Sequence, residues 1–306
     1  MVAPAGWLWI PITVSAAGAQ TLRNAAQRHL TSALGTLGAT LVRFLYGLPF
    51  AILWLAAVSA FGSFALPEPN YPFAAWVSLG GVSQIGGTAL LLRVMAERNF
   101  TLGVAYSKSE IIQVAAFGFV FLGDRVTPVT AAAIALGTLG VLLLAPADRQ
   151  RPIRTLLVGW TSRPALLGLA SGTCFALSAV GYRGAALALH GAPFPLAAAY
   201  TLVAAQTLQT LLLGGWLLLR HADVVARVLR AWRASLFAGF MGAAASAGWF
   251  TAMAIEPVAH VRTLGLLELL FSYGLSRRLF RERLTRLELG GVALLTLGLI
   301  VVTLAR

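Results

Sequence analysis

The chain has 306 residues and a formal net charge of +13 at pH 7, with 58% hydrophobic and 11% charged side chains and a mean hydropathy of +0.82. So little polar surface cannot cover a water-soluble fold of this length, which excludes an ordinary globular protein. The cations lie between apolar runs and form no continuous stripe, so nucleic acid is excluded as a partner despite the basic balance.

In chain order, ten apolar segments are expected to cross a hydrocarbon core, near residues 6–22, 33–60, 73–96, 101–122, 127–145, 164–189, 194–219, 234–255, 259–280 and 287–305. They are rich in Leu, Ala, Val and Gly and lack period-two alternation, so they are read as helices and not barrel strands. No charged stretch precedes the first segment, and a cleaved signal peptide is not expected. The fold class is all-α and polytopic.

The connections between spans alternate in charge. The odd-numbered ones carry 17 arginines, among them Arg23, Arg98, Arg151, Arg227, Arg278 and Arg283. The even-numbered ones and the C-terminus carry only Arg125, Arg262 and Arg306. The positive-inside rule then places the odd connections in the cytoplasm and both termini outside.

The apolar pattern also repeats at an offset of 158 positions. Asp124-Arg125-Val126-Thr127 precedes an apolar run, and Glu282-Arg283-Leu284-Thr285 precedes a second one. Glu110 falls on Glu268, Gly81 on Gly239, Thr88 on Ser246 and Met95-Ala96 on Met253-Ala254. The first turn falls outside with one cation and its counterpart inside with five. Residues 1–150 and 151–306 therefore read as two five-helix repeats, inverted relative to each other.

The two closings, GDRVTPVTAAAIALGTLGVLLL and RERLTRLELGGVALLTLGLIVV, resemble those of the drug/metabolite transporter superfamily, specifically its ten-helix EamA-like branch. The resemblance covers essentially the whole chain. It implies two five-helix repeats around a central cavity, and export of amino acids or other metabolites. One feature departs from the family: the proline often found early in the fourth and ninth helices is replaced by Ile111 and Leu269, which puts a kink there in doubt.

Charge inside the spans carries the functional reading, because it is costly unless paired or hydrated. Glu110 and Glu268 take equivalent repeat positions near the midplane, where transporters of this design hold substrate and coupling ions. Either they bind substrate or protons, or they brace neighbouring helices; both readings are open. Arg43 lies at a depth matching Glu110, and an Arg43–Glu110 pair is expected, more as a lock than as a binding group. Glu268 has no obvious cation at its depth, which makes it the better candidate for a titrating group. Tyr106 and Gln113 share the Glu110 face at i−4 and i+3. Lys108, the only lysine, points to nearly the opposite face unless the helix is locally unwound, and snorkelling toward the headgroups is expected. Arg23 and Arg183, near span ends, are read as interfacial.

Enzyme signatures are lacking. His29, His190, His221 and His260 are scattered without metal-ligand spacing, Cys174 is alone, and no phosphate-binding Gly-rich loop is found. No catalytic residue, metal, cofactor or obligate protein partner is expected. The expected function is a secondary transporter exporting a small metabolite or amino acid-like solute, coupled to proton exchange. Its partners are that solute, the bilayer and protons. The alternative is a translocase of lipid or lipid-linked intermediates. Arginine over lysine, with heavy Ala, Leu and Gly, points to a GC-rich bacterial genome and the bacterial inner (cytoplasmic) membrane.

Overall fold

The computed structural model describes residues 6–95, 106–144, 161–271 and 286–304, and every regular element among them is helical. The helices are α1 (Trp9–Leu45), α2 (Leu48–Gly62), α3 (Tyr71–Met95), α4 (Glu110–Phe117, continued by a π turn over Gly118–Leu122) and α5 (Pro128–Leu144). They continue with α6 (Arg163–Ala188), α7 (Phe194–Gln209, continued by a π turn over Thr210–Gly214), α8 (Gly215–Arg220), α9 (Ala222–Arg230), α10 (Trp232–Ile255), α11 (Val258–Leu264) and α12 (Arg286–Leu304). Among the described residues five helical stretches are long and apolar enough to cross a membrane: His29–Gly62, Tyr71–Met95, Arg163–Ala188, Phe194–Arg220 and Trp232–Ile255. The expected turn at Glu282–Thr285 lies outside the described residues. The chain divides into two compact units, residues 1–85 with 177–257 and residues 86–176 with 258–306.

In the first unit, α1 corrects one expectation. Residues 23–32, read as a connection between spans, are helical, and the reversal comes later, at Gly35. Gly35 has φ 71° and ψ 173°, a region essentially restricted to glycine. Gln27 Nε2 donates to the Ala39 carbonyl at 2.8 Å. Twelve residues of straight helix would separate them by about 18 Å, so α1 is a hairpin of two arms, 9–34 and 36–45. Leu30 and Leu34 on the first arm pack with Leu41, Val42 and Phe44 on the second, and with Leu217, Val225 and Val228.

Helix α10 lies along the hairpin at close range. A Cβ on Gly248 would stand 2.8 Å from the Ala16 Cβ, and one on Gly239 2.5 Å from the Tyr46 backbone. Small residues permit such approaches in a membrane helix pair. Trp249 Nε1 donates to Gln20 Oε1 at 2.9 Å, and Arg183 reaches the carbonyls of Met253 and Glu256 at the end of α10, where a cation complements the helix dipole. Tyr182, Gln84 and Gln209 hydrogen-bond one another at 2.8–3.0 Å, the helix-to-helix role a lone amide suggests. Short α9 is amphipathic, burying Val225 and Val228 while Arg227 and Arg230 are exposed. On its open side the Arg227 guanidinium holds the Asp223 carboxyl below the usual carboxylate range.

In the second unit, α5 and α12 touch through glycines. A Cβ on Gly140 would meet the Leu295 amide nitrogen at 2.6 Å, and one on Gly298 would meet the Gly137 amide nitrogen at 2.8 Å. These are one contact made twice: Gly298 is Gly140 advanced by 158 positions, and Leu295 is Gly137 advanced by the same amount. Helix α11 packs against α4, α5 and α12 and brings the charged residues together.

Candidate functional site

The site begins with two interruptions of helical backbone. Residues 106–107 are helical, Lys108 and Ser109 form a turn, and α4 starts at Glu110. Ser109 N–H bonds to the Tyr106 carbonyl at 3.1 Å and Ile111 N–H to that of Lys108 at 3.3 Å, both spanning three residues. Near the other carboxylate, α11 ends at Leu264, Gly265 and Leu266 form a turn, and helix resumes at 267–271. Leu266 N–H bonds to the Thr263 carbonyl and Glu268 N–H to that of Gly265, each at 3.1 Å. At the 158 offset the two turns differ by one position. The helices are therefore broken beside both carboxylates, although neither has the proline whose absence put a kink in doubt.

Three-residue bonding tightens the helix, and residues two apart then lie about 120° apart around the axis instead of nearly opposite. That changes what Lys108 can do. It forms an ion pair with Glu268 across the helices and does not snorkel to the headgroups. Glu110 is paired with Arg262. All four side chains are largely shielded: 18% exposed for Lys108, 8% for Glu268, 15% for Arg262 and 9% for Glu110. The earlier residue on one segment pairs with the later residue on the other, the crossing expected of antiparallel helices. Gly172 of α6 closes against the first break, where a Cβ would stand 2.8 Å from the Ser107 carbonyl oxygen and 3.2 Å from the Glu110 amide.

Several expectations are corrected here. Glu110 takes its cation from Arg262, because the start of α11 packs beside α4; the expected partner, Arg43, belongs to the first unit, where its guanidinium stands 5.6 Å from the Phe44 ring centroid. Glu268 does have a cation at its depth, Lys108. Arg262, counted with an external connection, is inside α11, the fifth residue of that helix. Its signal was legible, since Val258, Ala259 and Val261 precede it and Leu264 follows it. Gly172 had no such signal, because only tertiary packing sets it against the break. Gln113 Nε2 donates to Ser109 Oγ at 3.0 Å and so stays on the Glu110 turn, whereas Tyr106 lies across the break and is half-buried. Arg23, read as interfacial, is buried at 5% exposure.

Beside the pairs, Thr130 Oγ1 and His260 Nε2 are 2.8 Å apart, and Thr127 Oγ1 lies 2.9 Å from Thr130 Oγ1. This polar chain joins the start of α5 to α11, two residues from Arg262. Among the described residues no group of His, Cys, Asp or Glu is arranged to hold a metal ion.

Apolar helices of membrane-crossing length, with shielded charges paired at two backbone breaks, mark a multi-pass membrane protein. Residues 162–304 match the model of the EamA-like transporter family. A solved crystal structure shares the fold, with a TM-score of 0.66 at 17% identity, over 99% of this chain and 97% of the other. No curated protein matches the chain.

Proposed function

We propose that this protein is a secondary carrier that exports a small metabolite or amino acid-like solute in exchange for protons. Its ten helices form two inverted five-helix repeats, residues 1–150 and 151–306, in the bacterial inner membrane with both termini outside. The observation that supports this reading is the crossed pairing of Lys108 with Glu268 and Arg262 with Glu110 at two breaks of repeat-equivalent helices. The reciprocal glycine contacts of α5 with α12 favour the repeat.

The arrangement offers two states for each carboxylate. Ionised, Glu268 holds Lys108 or, in its place, a cationic group of the solute. Protonated, it holds neither, so proton and solute compete for one carboxylate. A carrier that crosses with one or the other moves a proton one way and a solute the other, because a proton on the carboxylate removes the charge that the pair needs. The neighbouring breaks in helical bonding are tolerated at membrane depth where a segment is buried in protein or lines a cavity.

The test is to compare small molecules in the spent medium of cells expressing the wild-type chain, Glu268→Gln at equal membrane abundance, or neither, by untargeted mass spectrometry. A metabolite enriched outside only with the wild type is the expected result and names the substrate class. Equal enrichment from both chains would keep the exporter and reduce Glu268 to a brace. No enrichment over empty cells overturns export and moves lipid translocation or uptake forward.

A further inference from the structure

The connection between two membrane-length stretches, Phe194–Arg220 and Trp232–Ile255, is itself helical, and its charge has no part in the proton-coupling scheme. His221, with φ −149° and ψ 55°, ends α8, and the chain turns into α9. Three contacts fix α9 on the α1 hairpin. Val225 and Val228 are buried in the core that the two arms share, Tyr46 Oη donates to the Val228 carbonyl at 3.2 Å, and a Cβ on Gly38 would stand 3.1 Å from Val224 Cγ1. With one face so anchored, the other is held outward.

The outward face is basic. Arg227 and Arg230, three residues apart, share it and are exposed. Asp223, one turn earlier, accepts from Arg227 at 2.5 Å and offsets part of that charge. Arg220 at the end of α8 and Arg233 in the first turn of α10 are exposed on either side. Residues 220–233 thus carry four arginines against one acid. Large apolar side chains lead into this patch from both spans. Trp216 and Leu219 are exposed on α8, and Trp232, Leu236 and Phe240, at successive turns of α10, form an exposed stripe. The Arg233 guanidinium stands 5.4 Å from the Trp232 ring centroid, and the Trp216 and His221 ring centroids are 5.4 Å apart.

An exposed apolar stripe on a membrane-crossing helix faces hydrocarbon, and tryptophan where the stripe ends marks the headgroup level. Arginines at that level meet lipid phosphates, whose oxygens the guanidinium fork matches. An anionic bilayer surface draws each cation by itself, so the four groups need not converge on one ion. An acidic protein would account for the charge but not for the tryptophans and the stripe that run into it. We infer that α9 and the flanking ends of α8 and α10 form a surface for anionic phospholipid headgroups. Arg220, Arg227, Arg230 and Arg233 are its phosphate-binding cations, and Trp216 and Trp232 are its interfacial anchors. This lies beyond the carrier reading and holds whatever the chain transports.

The experiment adds dioctanoyl phosphatidylglycerol or dioctanoyl phosphatidylcholine to the purified full-length chain in detergent and follows the melting temperature at each concentration. Phosphatidylglycerol is expected to stabilise the wild type saturably and more than phosphatidylcholine does, and added salt is expected to narrow the difference. Arg230→Gln and Arg233→Gln are each expected to raise the half-saturating concentration of phosphatidylglycerol about threefold or more, while Arg230→Lys and Arg233→Lys, which keep the charge, stay within about twofold. Arg227→Gln is expected to matter less, because Asp223 already holds that guanidinium. The substituted side chains are exposed, so the variants are expected to fold, and melting without lipid checks it. Equal stabilisation by the two lipids overturns the surface and leaves an apolar annulus only. Stabilisation by neither overturns it and moves an acidic protein forward. Unchanged half-saturation in both Gln variants overturns it by placing the preference at other arginines. Equal stabilisation by glycerol phosphate at the same concentrations overturns the lipid as occupant in favour of a soluble phosphate. Melting in detergent needs no transport, so a chain that exports nothing yet prefers phosphatidylglycerol would keep this surface and lose only the carrier.

Discussion

Lys108 and Glu268 form an ion pair between two segments, and each segment interrupts its helical hydrogen bonding within three residues of its charge. A continuous helix would put Lys108 and Glu110 on nearly opposite faces. The tightened turn lets both serve the same neighbouring segment, Lys108 at Glu268 and Glu110 at Arg262.

Removing one member of this pair should cost more than removing both. Glu268→Gln leaves a shielded ammonium without its carboxylate, a loss of about 3–5 kcal/mol for a buried pair, whereas Lys108→Met with Glu268→Leu is expected to be near neutral. Melting temperatures of the three variants in detergent check this. A double variant as unstable as the single one would mean that the pair is not the unit that matters.

Exchanging the partners in the second pair separates a brace from a working site. Glu110→Arg with Arg262→Glu keeps opposite charges on the two helices, and thermal stability is expected to recover most of what either single change loses. Export is expected to stay below a tenth of wild type, because a solute-binding group would stand on the wrong helix. Full recovery of export in the swap would assign the pair to structure.

The contact between α5 and α12 should be intolerant of even a methyl group. At Gly140 and Gly298 the added Cβ meets backbone and not the end of a flexible side chain, so Ala at either position is expected to destabilise by about 1–3 kcal/mol. Gly290, in the same last helix with nothing within 4 Å, is the control. There Ala should be neutral or gain up to about 1 kcal/mol from helix propensity. Thermal melts of the three variants side by side measure the difference.

The α1 hairpin depends on a backbone conformation and not on a contact. Gly35 has open space around it, yet its φ of 71° with ψ 173° is strained for any residue with a Cβ. Gly35→Ala is expected to cost about 1–3 kcal/mol without creating a clash. Loss of stability in Gly35→Ala but not in Gly215→Ala, where space is also open and the backbone is helical, would trace the cost to φ alone.

The sequence by itself determined the solvent and the element type: a hydropathy of +0.82 with no period-two alternation leaves helices in a bilayer as the arrangement that satisfies the backbone. It also determined where charge enters the apolar segments, so Glu110, Glu268, Lys108 and Arg43 were legible as candidates before any packing was known. What it could not determine was which charge meets which. Depth along a span ranks Arg43 as the partner of Glu110, but ion pairing depends on which helices are neighbours and how each is rotated. Those were decided by a turn at Lys108–Ser109 that no proline announces and by Gly172 packing against it. Gly35 moved the reversal of α1 past the residues that charge alone marked as a connection, and placed Arg23 in the interior. Hydropathy is a property of each residue and survives reading one position at a time. A pairing belongs to two helices at once, and only the tertiary structure sets their register and rotation.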